Sequence, residues 1–234
     1  PAAELPGYAW QHRPFQIERT GEALPAFAER SHPLLGPPAR SHAGVWYAAI
    51  DPQILPWLGD HRVDGAAVFP AAGFIEVALA AARDTFGNGP FEVRDLEILQ
   101  PLVFDGDGSF EVETKLSPET CTLEMRSWRR PASDEAALNA KATIGTAPVS
   151  ELRERWQPLT EVALSADDIY ALAGRRGLVY GPAFRRIASI EIADPRNARA
   201  TFAASAIPGR QFVLDPTALD AAFHVLIALA EQEP

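Results

Sequence analysis

The apolar positions of this chain follow two different rhythms. From Ala71 to Phe86 they occupy nearly every helical face, with Phe74, Ile75, Val77, Ala78, Leu79, Ala81 and Ala82 leaving no polar stripe. Such a helix is buried all round, and its alanines let a neighbouring layer approach closely. Pro70 suits its first turn, and Gly87-Asn88-Gly89-Pro90 stops it. A second strongly apolar helix is predicted from Thr217 to about Ala230, introduced by Asp215-Pro216. Elsewhere the period is two. Val45–Ile50, Phe91–Leu99, Phe110–Leu116, Thr122–Trp128 and Lys141–Thr146 read as strands, and so do Phe184–Ile192 and Arg199–Ala203. Ser165-Ala166-Asp167-Asp168 carries a capping-box pattern for a short helix that Gly174 can end. A buried helix with antiparallel strands that could wrap it thus occurs twice, which makes internal duplication a hypothesis.

The remaining composition narrows the function classes. The formal net charge is −10, which suits neither nucleic acid nor an anionic membrane as a partner. No apolar run reaches the ~18 residues of a membrane span, and Pro1–Glu18 lacks the pattern of a signal peptide. A single cysteine, Cys121, excludes an intrachain disulfide and a Cys-rich zinc site, and fits a reducing, cytoplasmic setting. The first thirty residues carry four prolines (Pro1, Pro6, Pro14 and Pro25) and read as a linker, which the aromatics Tyr8, Trp10, Phe15 and Phe27 would dock. A chain that starts at Pro1 is expected to be a piece of a longer one.

Three places could carry chemistry. His61 sits among Trp57, Leu58, Val63, Val68 and Phe69, just ahead of the first apolar helix. Burial disfavours imidazolium, so this histidine is either a neutral base or a structural residue bonded to a carbonyl. Gly65 offers a flexible turn, and the helix N-terminus a partial positive charge for a developing oxyanion. Asp220 and His224 share a face of the second apolar helix at i and i+4. A buried aspartate is costly unless paired, hydrogen-bonded or protonated, so the pair is either a general-acid site or a closure of the helix against solvent. In Gly177-Leu178-Val179-Tyr180-Gly181-Pro182-Ala183-Phe184 the glycines and proline fix a tight turn that aims Tyr180, as a substrate contact or as an aromatic plug. Asp105-Gly106-Asp107-Gly108 lacks the later ligands of a calcium loop and reads as a hairpin turn.

These segments resemble the dehydratase domains of modular type I polyketide synthases. His61-Arg62-Val63-Asp64-Gly65-Ala66-Ala67-Val68-Phe69-Pro70 matches the HxxxGxxxxP signature, Tyr180-Gly181-Pro182-Ala183-Phe184 matches YGPxF, and Asp220-Ala221-Ala222-Phe223-His224 matches DxxxQ/H. His32-Pro33-Leu34-Leu35-Gly36 is similar to the family's opening strand, and Leu5–Gln11 to the linker leaving an acyltransferase. The resemblance implies an α+β double hotdog, each half a long helix wrapped by a curved antiparallel sheet. It divides the chain into a linker (1–30), an N-terminal hotdog with the catalytic histidine (31–149), an inter-hotdog linker (150–164) and a C-terminal hotdog with the catalytic aspartate (165–234). It implies a hydro-lyase acting on a β-hydroxyacyl thioester, which an acyl carrier protein delivers on its phosphopantetheine arm, with no metal or diffusible cofactor. His61 would remove the α-proton and Asp220 would protonate the departing hydroxyl. Gly65, Val68, Phe69, Pro70, Tyr180, Gly181, Pro182 and His224 would bind or orient the substrate. Neighbouring synthase domains and a homodimer are compatible partners. An acidic carrier needs a local basic patch, and Arg175, Arg176, Arg185 and Arg186 flank the Tyr180 segment.

The chain departs from the family pattern at Leu178, where a second tyrosine is common, and at Asp215, where many members have histidine. Members usually continue with further strands after the aspartate helix, so the second hotdog is expected to be short of its closing strands. A dehydratase-like domain that also closes an oxygen heterocycle or shifts a double bond, and a silent carrier-binding or dimerisation scaffold, are the competing readings.

Overall fold

The computed structural model describes residues 32–40, 42–105, 108–130, 135–147, 162–194, 197–204, 207 and 212–230. The 1–30 linker and most of the 150–164 connection lie outside the described residues. The first half builds a five-stranded antiparallel sheet around one helix. Its strands are β1 (Val45–Ile50), β4 (Phe91–Ile98), β6 (Ser109–Ser117), β7 (Thr122–Arg130) and β8 (Ala137–Thr146), in the order β1-β6-β7-β8-β4. Period-two alternation sets their faces: β6 buries Val112, Thr114 and Leu116 and turns Glu111 and Lys115 outward. The helix they hold, α1 (Ala71–Phe86), packs against β4, β6 and β8. It buries Ala72, Gly73, Phe74, Glu76, Val77, Ala78, Ala80, Ala81 and Ala82, the near-complete burial its sequence predicts.

The second half repeats the plan with fewer strands. β9 (Val162–Ser165), β11 (Ile187–Asp194) and β12 (Asn197–Phe202) form an antiparallel sheet in the order β12-β11-β9. α2 (Ala166–Arg175) starts with the expected capping box between Ser165 and Asp168. α3 (Pro216–Ala230) packs on β11, β12, α2 and α1. Asp215 caps it: one carboxylate oxygen accepts from the N–H groups of Thr217 and Ala218, and the other from Arg186 at 2.8 Å. Burial of α3 is one-sided. Asp220, Ala221, His224 and Ala228 are buried, but Leu226 is 60% exposed, because the strands, α1 and α2 cover only the other face.

A third, four-stranded sheet joins the halves. β2 (His61–Val63) and β3 (Ala66–Val68) form a hairpin, β5 (Val103–Phe104) extends it on one side, and β10 (Leu178–Tyr180) from the second half pairs with β2 on the other. The hairpin turn is Asp64-Gly65 with φ of +49° and +84°, the paired positive values of a type I′ turn. The expected Phe184–Ile192 strand begins only at Ile187, because Gly181 O captures the N–H groups of Phe184 and Arg185 in a turn. β5 and β6, which flank Asp105–Gly108, belong to different sheets. The expected hairpin turn falls on a segment whose residues 106 and 107 lie outside the described residues.

Candidate active site

His61 begins β2, and its side chain is oriented by its own hairpin. Nδ1 lies 2.8 Å from Val68 O. A carbonyl only accepts, so Nδ1 carries the ring proton and donates, and Nε2 is left with a free lone pair. Nε2 lies 3.9 Å from Asp220 Oδ2 on α3. The two residues are far apart in the chain and come from different halves, as the sequence motifs implied.

The walls of this pair are aromatic and dry. His61, Tyr180, Asp220 and His224 are each at least nine-tenths buried, and Phe184 is completely so. Tyr180 is paired with His61 across β10 and β2, with ring centroids 5.6 Å apart, and Phe184 closes the other side at 5.3 Å. His224 Nε2 lies 2.8 Å from Asp220 Oδ2, and its ring stacks on Tyr180 at 3.9 Å. His224 Nδ1 is buried with no hydrogen-bond partner among the described residues. Placing the proton on Nε2 therefore leaves only a lone pair unsatisfied, whereas the other tautomer would bury an unpaired N–H. In this arrangement His224 donates to Asp220 and holds its carboxyl in place. Burial, followed by the charge of Asp220 and the neighbouring Tyr170, pushes the Tyr180 hydroxyl above its ordinary value, so it stays a neutral donor through the physiological range. Burial likewise raises Tyr170, whose hydroxyl accepts from Ile187 N–H and donates to Phe184 O.

Two carboxylates bracket β2 and were not singled out in the sequence. Asp60 O accepts from Gly181 N–H at 2.7 Å, and Asp60 Oδ2 accepts from Ala183 N–H at 2.9 Å. At the other end of β2, Asp64 N–H donates to Gly177 O at 2.8 Å. A Cβ on Gly181 would collide with the Asp60 side chain, and one on Gly177 with the Asp64 carboxyl. Each glycine of the Tyr180 segment thus seats an aspartate flanking the His61 strand. The matched spacing, Asp at 60 and 64 against Gly at 177 and 181, was the available signal. Because of this pairing Tyr180 lies on a strand, and the tight turn follows it.

The other residues expected to touch substrate separate by role. Val68 contributes its carbonyl to His61. Phe69 packs edge-on against Phe74 at 4.9 Å and over Gly73, so it belongs to the core. Pro70 is the N-cap of α1, which starts with no side-chain cap. Gly65 lies at the hairpin tip, at the far end of β2 from His61, where the structure needs its positive φ and does not bring it to the pair. Pro182 is exposed and shapes the turn. Of the four arginines, Arg186 is corrected: it is buried, bonded to Asp215, Thr217 and Ala203 O, and is not a surface charge. Arg185 is exposed, lying 4.4 Å over Tyr170 and pairing with Asp167, and Arg175 and Arg176 are exposed as well. Among the described residues no group of three or more His, Cys, Asp or Glu could hold a metal ion. No helix among them is long and apolar enough to cross a membrane.

Two sheet-wrapped helices, with a histidine from one half facing an aspartate from the other in a buried site, define a double hotdog. Comparison with known proteins gives the class its family. A polyketide synthase dehydratase domain family matches residues 32–129, and a polyketide synthase dehydratase N-terminal domain family matches residues 148–234. A phenolphthiocerol/phthiocerol polyketide synthase of Mycobacterium tuberculosis is 33% identical over 93% of this chain, which corresponds to 10% of that protein. The solved dehydratase domain of PpsC from the same organism superposes with a TM-score of 0.70 at 30% identity, covering 86% of this chain and 75% of that one. The dehydratase domain from the CurK module of the curacin synthase shares the fold, with a TM-score of 0.71 at 20% identity over 86% and 76% of the two chains. This chain belongs to the polyketide synthase dehydratases, hydro-lyases that dehydrate β-hydroxyacyl intermediates. It spans about a tenth of the length of the curated synthases it matches.

Proposed function

We propose that His61 and Asp220 together remove water from a β-hydroxyacyl thioester presented on the phosphopantetheine arm of an acyl carrier protein. The observation that carries this reading is His61 Nε2 facing Asp220 Oδ2 at 3.9 Å in a buried, aromatic-walled site, with Nδ1 engaged by Val68 O. The α-carbon and β-oxygen of one hydroxyacyl unit, on neighbouring carbons, can lie alongside a base and an acid so spaced, one substrate atom facing each. His61 Nε2 takes the α-proton, and the C–H electrons form the Cα–Cβ double bond. The β C–O bond breaks as Asp220 protonates the oxygen, and water leaves. Transfer of the proton from His61 to Asp220 across the gap restores both groups. His224 and the Tyr180 hydroxyl hold Asp220 and the leaving group in line. The uncapped N–H groups at the start of α1, a few residues beyond Val68, support the thioester oxygen as negative charge develops on it. That position replaces Gly65 in this role.

The carrier protein, the neighbouring synthase domains, a homodimer and a cytoplasmic setting belong to the same proposal. Arg175, Arg176 and Arg185, all exposed, form the docking patch for an acidic carrier. The related PpsC dehydratase has been solved in complex with C12:1-CoA, which recommends acyl-CoA and acyl-pantetheine thioesters as test substrates. Incubation with both 3-hydroxyacyl configurations, read by mass for loss of water and by NMR for a ring or a shifted double bond, tests the reaction. His61→Ala and Asp220→Asn are each expected to lose about 10²–10⁴ in rate, and the double variant little more, since the two act as one unit. An Asp220→Asn variant with full dehydratase activity would refute the assignment.

A further inference from the structure

Glu76 is the one charge in the apolar run of α1, and it is fully buried. Its Oε1 accepts from Val213 N–H at 2.6 Å, and its Oε2 from Leu214 N–H at 2.7 Å. His32 supplies a third bond. Its Nδ1 accepts from Leu34 N–H (3.2 Å) and Leu35 N–H (3.1 Å), so the ring proton is on Nε2, which lies 2.8 Å from Glu76 Oε1. Phe212 lies against both His32 and Trp57, edge-on at 5.6 and 6.2 Å between ring centroids. A leucine at position 76 would fill the same space with less desolvation, but it would leave two backbone donors and His32 unpaired. The carboxylate therefore supplies direction, not bulk.

Both members of the acid–base pair are referred to α1 through these contacts. Val68 O, which orients His61, leads through Phe69 and Pro70 into the start of that helix. Val213 and Leu214, held by Glu76 a turn further along, lead into Asp215, the cap of α3, and so to Asp220. We propose that Glu76 is a positioning residue for dehydration. It is a buried strut, steadied by His32, that ties the approach to α3 onto α1 and so sets the His61–Asp220 spacing. This rests on the assignment of His61 and Asp220 as the catalytic pair.

The test is Glu76→Gln in the whole chain. The glutamine oxygen can serve Val213 and His32, but its NH₂ then meets the Leu214 N–H, donor against donor. Amide exchange at Leu214 is expected to rise by about tenfold or more while the amides of α1 keep their protection. With a hydroxyacyl thioester, kcat is expected to fall by about 10- to 100-fold, the effect of an ångström-scale misplacement, while KM moves less than about threefold. Unchanged kcat with the Leu214 amide released would overturn the proposal, and so would a loss carried by KM. Should Glu76→Gln fail to fold, His32→Phe removes the Nε2 donor, together with the acceptor for Leu34 and Leu35 N–H, and keeps both backbone bonds to Glu76. A loss of roughly two- to fivefold in kcat at constant KM is then expected, and no loss overturns the proposal. His61→Ala and Asp220→Asn run alongside separate the two assignments. If either stays active, the catalytic pair is wrong and this inference falls with it. If both are dead and Glu76→Gln is fully active, only the strut is wrong.

Discussion

Gly181→Ala tests the contact that binds the Tyr180 segment to the His61 strand. An added Cβ would lie 2.8 Å from Asp60 Cβ and closer still to the carboxyl. Carbon atoms meet comfortably at about 3.5–4.0 Å, so Asp60 must swing by roughly an ångström and give up the Ala183 N–H. Overpacking costs about 1–3 kcal/mol, and loss of a hydrogen bond to a charged group about 1.5–3. A total of roughly 2.5–6 kcal/mol is a large share of the ~5–15 kcal/mol that holds a domain folded. Urea unfolding monitors this directly, with Gly174→Ala as the control. Gly174 lies in α2 with open space around it, so alanine there should be neutral or stabilising by up to about 1 kcal/mol. Turnover of Gly181→Ala should fall about tenfold or more, because Tyr180 and Phe184 flank His61. Asp60→Gly removes the obstacle, so Asp60→Gly/Gly181→Ala should be no less stable than Asp60→Gly alone. A Gly181→Ala protein within about 0.5 kcal/mol of wild type and fully active, or strict additivity in the double variant, would refute the reasoning.

Arg186→Ala should destabilise by about 3–5 kcal/mol in urea, because it takes the buried guanidinium away from Asp215 Oδ2, Thr217 and Ala203 O. Asp215→Asn, which keeps an acceptor for the first N–H groups of α3, should cost clearly less. Tyr180 titrates above its unfolded value, so its contribution to stability is complete below about pH 10 and is lost as pH rises beyond it. Tyr180→Phe should therefore flatten the alkaline fall in denaturation midpoint, and an unchanged slope would count against it. Leu226→Lys on the open face of α3 should shift stability by less than about 0.5 kcal/mol, whereas Ala81→Leu on the enclosed α1 should cost about 1–3 kcal/mol or prevent folding.

How much of this was legible beforehand depended on the range of the interactions. α1 was readable to the residue, because Pro70 and Gly87 punctuate a run with no polar face. β6 was readable from its strict alternation. β2, β3 and β10 were not, since three residues carry no detectable period and each is held by pairing, in β10's case with a strand from the other half. Phe184 and Arg186 were misplaced for a related reason. A local reading assigns an apolar residue to a strand and an arginine to the surface, whereas a glycine carbonyl and Asp215 decided their places. His61, Tyr180, Asp220 and His224 were found through motifs, and the structure brings all four together. Asp60 and Glu76 stayed hidden because a buried carboxylate is recognised only by its donors, and their backbone donors lie more than a hundred positions away.

The four-stranded sheet also governs how this domain can be recombined with its relatives. A natural junction for exchanging halves would fall between β8 and β9, where the first wrapped helix and its sheet are complete. Such a chimaera would split β2 from β10, and with them the seats that Gly177 and Gly181 provide for Asp64 and Asp60. A donor half with any side chain at either glycine would push the histidine strand off its register, even with His61 and Asp220 both present. The exchangeable unit is therefore the whole pair of hotdogs, and matched substitutions at positions 60, 64, 177 and 181 are the minimum for grafting one half onto another.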